Sequence, residues 1–362
     1  MKKIAVFHNF MDNIGGAEIV TLTLAKELKA DIFTTNINLD KIKKMGFENI
    51  NIYSIGKVPL NAPFRQQIAL WRFRMLDLKG KYDFYIIAGD WAMSGCVNNK
   101  PNLWYIHSPI REIWDAYEYT KNKMVPFPFR NTFALWAKYN RYLNKKYIKK
   151  VDKFICNSKN TKNRLKKFLD INAKIINPPV DTCQFHYKAS KNYWLSVNRL
   201  LPPKRVEMQI KAFEKMPDEK LIIVGSYEKS RNFLKYFSYL KKIKPKNIEI
   251  LSWINEKELI ELYANCKGFI ATAMDEDFGM TPVEAMASGK PVIAANEGGY
   301  KETVINGKTG ILIDNINEEK LIKAIKEIGK TPEKYKNACI KRAKEFDTKV
   351  FIKKIRKKIK KC

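Results

Sequence analysis

The chain is 362 residues long with 45% hydrophobic and 12% aromatic side chains, which suffices for about two globular domains and excludes both a disordered chain and a small stapled scaffold. Lysine and arginine total 68 against 37 acids, a formal charge of +31 that exceeds what solubility requires and calls for an anionic partner, with the Lys-, Ile- and Asn-rich usage of an A+T-rich genome as the competing explanation. No uncharged apolar run approaches the ~18 residues of a membrane span, the Ile4–Phe7 run is too short for a signal peptide, and six cysteines never closer than 23 residues give neither a Cys-x-x-Cys clamp nor a dense disulfide pattern. The expectation is a cytoplasmic protein with reduced, mostly buried cysteines.

In chain order, apolar runs at Ile4 to Phe10, Ile32 to Thr35, Ile50 to Ile55, Phe84 to Ala88, Trp104 to Ile106 and Phe154 to Cys156 are separated by helical patterns. Runs this continuous suit strands covered on both faces, as in a parallel sheet whose crossovers are helices. The first half is therefore an open α/β domain. After the first strand, Asp12-Asn13-Ile14-Gly15-Gly16-Ala17-Glu18 places two glycines before a helix starting near Ala17. Amides there can approach a phosphate, and an ordinary tight turn is the equal alternative. It is not a dinucleotide fingerprint, since the second strand ends in Thr34-Thr35-Asn36 where an acid is required.

His107, one of only three histidines, directly follows the Trp104–Ile106 strand, on the side where α/β sheets bind ligands. Further on, Phe129, Phe133, Trp136, Tyr139 and Tyr147 fall near helical spacing and overlap the run Lys138 to Lys167, which holds twelve basic residues and one acid, Asp152. The stripe reads as core, and alternatively as a basic amphipathic face for anionic lipid. Between Asn177 and Asp181 two prolines interrupt regular structure, so the hinge is placed at residues 178 to 190.

The strand pattern restarts at Trp194 to Val197, Leu221 to Val224, Ile248 to Leu251, Phe269 to Ala271, Val292 to Ala294 and Ile311 to Ile313, giving a second doubly wound domain. The expected domains are residues 1–180, 181–345, and a basic C-terminal helix and tail, 346–362, packing back toward the first. The last segment carries seven basic residues and no acid between Lys353 and Lys361. Two such domains place a ligand in the cleft between them.

After Trp194 to Val197, Arg199 and Lys204 flank the loop Leu200-Leu201-Pro202-Pro203, which can converge two cations on one doubly charged group or lie as a solvated loop. The richest stretch is Met274 to Gly289: acids end a strand, a glycine turn follows, and a short helix begins at Pro282 with Gly289 as its stop. Within it Glu284 has an alternative reading, because Thr281-x-x-Glu284 is a capping box. Asp275-x-Asp277 resembles a metal-binding pair, which the amides and dipole of the following helix render unnecessary. Asn306-Gly307-Lys308-Thr309-Gly310 imitates a phosphate-binding loop but has Glu302 where its first glycine belongs, and reads as a turn before a strand.

Gly15-Gly16-Ala17-Glu18, the strand-end His107, Arg199-x(4)-Lys204, Glu276-x(7)-Glu284 and Glu297-Gly298-Gly299 with Glu302-Thr303-Val304, in this order, resemble the retaining glycosyltransferases of family 4, with their two-domain GT-B fold. The stretches His107-Ser108-Pro109-x-Arg111-x-x-Trp114-Asp115, Asn157-Ser158, Pro178-Pro179-Val180-Asp181, Pro203-Lys204-Arg205 and Glu276-Asp277-Phe278-Gly279 further resemble GDP-mannose-dependent mannosyltransferases of O-antigen and polysaccharide assembly.

The resemblance implies that Gly15, Gly16, Arg199 and Lys204 hold the donor diphosphate, Glu284 the ribose hydroxyls, and Glu276 with Gly279, Met280 and Thr281 the donor sugar. His107 would touch that sugar from the opposite domain, and Arg111 and Asp115 would lie on the acceptor side. Catalysis would rest on Glu276, His107, Arg199 and Lys204, with no metal and no cofactor beyond the nucleotide-sugar. The partners implied are GDP-mannose, a glycan or lipid-linked acceptor, and an anionic membrane surface met through 138–167 and 353–361, placing the protein peripherally on the inner face. The alternatives are a UDP-sugar donor of glucose or N-acetylglucosamine, a phosphorylase or epimerase on the same fold, and more distantly an inactive GT-B protein or a nucleic-acid binder, which no helix-turn-helix, zinc or RNA-binding signature supports.

Overall fold

The computed structural model describes residues 2–226, 231–252 and 254–360; Lys361 and Cys362, the end of the basic tail, lie outside them. The chain divides into two units, residues 1–177 with 352–362, and residues 178–351.

In the first unit the strands are β1 (Ile4–Phe7), β2 (Asp31–Thr34), β3 (Ile52–Ser54), β4 (Phe84–Ile87), β5 (Asn102–Ile106), β6 (Phe154–Cys156) and β7 (Lys174–Ile175). They pair in parallel in the order β3-β2-β1-β4-β5-β6-β7. Every residue of β1, β4 and β5 is buried, because helices cover both faces of the sheet centre. The edges are more polar. Strand β3 exposes Tyr53 and Ser54, and β7, which no apolar run announces, is two exposed residues. Sheet order reverses between β1 and β4, so their carboxyl ends form the topological switch point of this unit. Gly89 is there because a Cβ would sit 2.3 Å from Asn9 Oδ1 and 2.7 Å from its backbone nitrogen.

The second unit holds β8 (Trp194–Arg199), β9 (Leu221–Ser226), β10 (Ile248–Leu251), β11 (Phe269–Ala271), β12 (Val292–Ala295) and β13 (Gly310–Ile313), parallel in the order β10-β9-β8-β11-β12-β13. Its switch point lies between β8 and β11. Trp194 is fully buried at the core of this unit, over Gly268, whose added Cβ would come 2.7 Å from the indole. The indole donates to Glu219 at 2.9 Å, which satisfies the one polar atom that burial would otherwise leave unpaired. The pseudo-phosphate loop is a turn before β13: Gly307 N–H donates to Gly310 O, and an added Cβ at Gly310 would lie 1.8 Å from Val292 O.

The C-terminal helix Thr348–Lys360 buries Phe351, Ile352, Ile355 and Ile359 and exposes Lys353, Lys354, Arg356 and Lys357. Its final turns belong to the first unit, where Arg356 donates to Glu27 O, Lys153 to Lys358 O and Lys2 to Ile359 O. Cys96, Cys156, Cys266 and Cys339 are buried and Cys183 is exposed. Among the described residues no helix is long and apolar enough to cross a membrane.

The aromatic stripe of residues 129–147 divides between core and surface. Tyr147 is buried, Phe133 and Trp136 are half-buried with Phe133 stacked on Tyr117 and Trp136 beside Trp91, and Phe129 and Tyr139 stand in solvent. Helix Arg130–Ile148 turns only one side toward the sheet, and residues at helical spacing fall on or off that side according to phase.

Candidate active site

At the switch point of the second unit, the loop after β8 and the loop after β11 are sewn together by hydrogen bonds to the backbone of the β8 loop. Thr272 Oγ1 donates to Lys204 O at 2.7 Å, and Met274 N–H to Pro203 O at 2.8 Å. Two prolines stiffen a single 3-10 turn, Pro202–Lys204, and Arg205 in a left-handed conformation (φ 54°) ends it. The turn aims Lys204 and Arg205 at two different acids. Lys204 Nζ pairs with Glu276 Oε2. Arg205 grips both oxygens of Glu297, at 2.8 and 3.3 Å.

Glu276 is braced from behind. Gly299 N–H donates to Glu276 O at 2.7 Å, and a Cβ on Gly299 would lie 2.3 Å from Phe278 Cα. One on Gly298, itself at φ +52°, would lie 2.4 Å from Glu276 O. The two glycines of Glu297-Gly298-Gly299 are thus required by close backbone approach: they let the β12 loop press against the loop that carries Glu276. The buried Tyr300 hydroxyl also bonds Glu276, which together with burial pushes the phenol far above its ordinary value. Gly279 sits against the Tyr300 ring, where a Cβ would approach Cδ1 and Cε1 to 2.8 Å, and adopts φ +90°.

The helix after this loop runs Met280–Ala287, with Gly279 rather than Thr281 at its cap. It begins two residues before Pro282, which lies in the first turn, where its missing N–H costs no hydrogen bond. The start shifts the expected frame, and the Thr281-x-x-Glu284 capping box is not formed. Glu284 instead accepts a hydrogen bond from the Tyr263 hydroxyl at 2.7 Å. Burial raises its pKa to about 7, against the lowering effect of the Tyr263 bond. Tyr263, fully buried between Phe185 and Phe269, can hold only one carboxylate oxygen, leaving the other for a hydroxyl group. Arg199 lies exposed at the end of β8, while Met280 and Thr281 form the first turn of the helix.

In the first unit, helix Gly16–Leu28 starts after Gly15, whose φ of −131° any residue could adopt. The Gly15 N–H donates to Glu18 Oε2 at 2.8 Å, so the carboxylate of the motif takes the first glycine's amide. The other oxygen, Oε1, lies 3.1 Å from His8 Nε2, and His8 Nδ1 lies 3.1 Å from Thr21 Oγ1. His107 is held at the end of β5, with its carbonyl accepting from Asn157 Nδ2 and Thr161 Oγ1 and its ring edge-on to Tyr105. Burial, with His8 nearby, lowers its pKa to about 3, so it is a neutral imidazole at physiological pH. His107 Nε2, Ser108 Oγ and Asn157 Oδ1 are buried without a hydrogen-bond partner, a cluster that a ligand's polar groups would satisfy.

Arg111 and Asp115 are brought together as a pair, Nε to Oδ2 at 2.9 Å, with Arg164 Nε 3.6 Å from the same oxygen. Two acids that no motif announces lie nearby in the fold. Asp90, just after β4, accepts from Asn9 Nδ2 and from the Trp91 N–H, and burial raises its pKa. Burial and the charge of Asp90 raise Glu112 to about 7. Asp90 was findable from its place alone, directly after a buried central strand; Glu112, Tyr263 and Tyr300 carry no local signal.

Residues 14–184 match the family model described as Glycosyltransferase Family 4, and residues 184–346 the one described as Glycosyl transferases group 1. An uncharacterized glycosyltransferase of Methanocaldococcus jannaschii is 33% identical over 190 residues, 52% of either chain. The alpha-1,3/1,6-mannosyltransferase of Candida glabrata is 26% identical across 95% of this chain and 89% of its own, and the O-antigen chain mannosyltransferase of Salmonella typhimurium 27% across 59% and 61%. The chain thus spans about half the length of the first of these relatives. The Anabaena protein HepE, solved with UDP-glucose, matches in fold with a TM-score of 0.77 over 100% of both chains at 18% identity.

Proposed function

The chain belongs to the family 4 glycosyltransferases of the GT-B fold, and from that premise we propose that it is a retaining hexosyltransferase that moves mannose from GDP-mannose onto a glycan or lipid-linked acceptor. The observation that carries the reading is Glu276, a carboxylate fixed by Lys204 and Tyr300 and backed by two glycines, directly ahead of the helix that begins at Met280. An acid so placed accepts hydrogen bonds from sugar hydroxyls, while Lys204, Arg199 and the amides of Gly279, Met280 and Thr281 take the diphosphate. Glu284, pinned by Tyr263, takes the ribose. To the first unit the proposal assigns Gly15, Gly16 and His107 on the donor, the last as a neutral hydroxyl partner, and Arg111 and Asp115 on the acceptor side.

Breaking the sugar–phosphate bond gathers negative charge on the leaving diphosphate and positive charge on the sugar ring. Cations and helix amides aimed at the phosphate therefore stabilise the transition state more than the ground state. The acceptor hydroxyl attacks from the side the phosphate leaves, and its proton passes to the departing phosphate oxygen. A close pair of carboxylates, as in a glycoside hydrolase, is not required.

Mannose is favoured because two relatives are named mannosyltransferases; HepE with UDP-glucose favours a second reading, a UDP-sugar donor. Thermal shift with GDP-mannose, GDP, UDP-glucose, UDP-N-acetylglucosamine and UDP separates them, since a ligand at ~100 times its dissociation constant adds about 2.7 kcal/mol of stability. Response to guanosine ligands alone supports the first reading, and response to uridine ligands alone the second. No response at all favours an inactive or nucleic-acid-binding protein. A lipid-linked acceptor would be met at an anionic membrane surface, and flotation with anionic vesicles tests that part.

A further inference from the structure

Among the described residues, eleven of the eighteen large apolar side chains that stand exposed fall in two segments of the first unit, 60–75 and 119–142. Helix Phe64–Met75 buries Gln67, Ala69, Leu70 and Phe73; on its opposite stripe Phe64, Trp71 and Met75 are 67%, 50% and 81% exposed. On helix Arg130–Ile148, Leu135, Tyr139 and Tyr142 form an equivalent stripe at 70%, 48% and 62%. The two helices meet at Gln67, whose Oε1 accepts from both Trp136 Nε1 and Asn140 Nδ2 at 3.0 Å. Gln67 borders the first stripe and Trp136 the second, so the two stripes flank one seam and make a single face. A face of this kind marks a docking surface.

Its charge selects the occupant. Residues 57–76 carry four basic side chains and residues 119–150 nine, with no acid in either. Exposed Lys138 and Lys146 on the same helix, with Lys149 at its C-cap, continue the Leu135–Tyr139–Tyr142 stripe. A two-fold contact with a second copy would set these lysines against each other, whereas an anionic leaflet attracts them and accepts Trp and Tyr at headgroup depth. We propose that this two-helix face, rather than the basic C-terminal helix, is the surface by which the chain inserts shallowly into an anionic bilayer. The inference rests on the lipid-linked acceptor of the proposed function. Trp136, at the seam, also packs on Trp91, next to Asp90, so the docked face lies one aromatic layer from the switch point of this unit.

The test is flotation of the full chain with phosphatidylcholine vesicles and with vesicles containing phosphatidylglycerol. The triple variant Phe64→Ser, Trp71→Ser, Met75→Ser should lose vesicle binding more than tenfold and keep its thermal shift with nucleotide, because all three side chains point to water. Replacing Lys138, Lys146 and Lys149 by Gln should weaken binding roughly fivefold per residue at low salt. Neutralising Lys353, Lys354, Arg356 and Lys357 should change little. Full binding by the triple variant, or loss only in the C-terminal variant, overturns this placement and leaves the membrane reading standing. No binding by the unmodified chain at low salt overturns the membrane reading itself. Concentration-dependent dimers that the triple variant abolishes, without vesicle binding, make the face a contact between copies and overturn the proposal.

Discussion

The loops at the switch points of the two sheets are built on different electrostatic plans. In the second unit they are held by paired charges, Lys204 with Glu276 and Arg205 with Glu297, whose side chains remain 21 to 30% exposed. In the first, beside the Arg111–Asp115 pair, burial acts on groups with no partner of opposite charge among the described residues: it lowers His107 to about 3, which makes it a neutral imidazole, and raises the carboxyls of Asp90 and Glu112 from their ordinary range. A diphosphate brings charge and needs cations, which water must partly solvate before it arrives. A hydroxyl brings none, and a neutral buried partner such as His107 can bond it without a desolvated charge being left behind.

The largest effect that would break this contrast is at Glu276. Glu276→Ala should lower kcat by about 10²- to 10³-fold with little loss of stability, if it removes the proposed hydrogen bonds to the reacting sugar. Near-native turnover sinks the assignment. Lys204→Ala should lower kcat/KM by about 10²-fold while Tm moves little, because an ion pair this exposed adds at most about 1 kcal/mol to folding. Gly299→Ala tests the bracing, as its Cβ collides with the Phe278 backbone. A stability loss of about 1–3 kcal/mol is expected, with reduced activity. Gly307→Ala, with nothing within 4 Å of its Cβ, should cost only the ~1 kcal/mol of its positive φ.

Glu284 sharpens the comparison through pH. Its folded pKa of about 7 lies above the ordinary ~4.3 of the unfolded chain, so the folded protein binds this proton more tightly. The stability it contributes is present below pH ~4 and is lost as pH rises to ~7. On the proposed ribose role, nucleoside diphosphate affinity should run the other way, rising through that window as the carboxylate forms. Glu284→Gln should flatten both profiles and weaken nucleotide binding about tenfold in calorimetry. The smallest effect belongs to His107, which contributes no inflection to the rate between pH ~5 and ~8; such an inflection that disappears in His107→Gln would show that it titrates in the working range.

The two plans were not equally legible in the sequence. Parallel strands announced themselves because burial on both faces leaves continuous apolar runs, and Phe154–Cys156, Ile248–Leu251 and Phe269–Ala271 fall where those runs do. Strand β7 did not, since an exposed two-residue edge has no reason to be apolar. Lys204, Glu276 and the glycines stood out because local geometry fixes their spacing: a proline turn, a strand end, a close backbone approach. Tyr263, Tyr300 and Glu112 act over distances that only the fold closes, and Glu284 could be read as a cap until the helix proved to start at Met280.

The return of residues 352–362 to the first unit makes the second, topologically, an insertion into the first. During synthesis the inserted segment 178–351 leaves the ribosome before the helix that completes its host, so the second unit can reach its native state while the first still lacks Ile355 and Ile359 from its core. The second unit, to which the proposal assigns the nucleotide, is thus the one able to mature first, and the unit bearing the apolar two-helix face follows it.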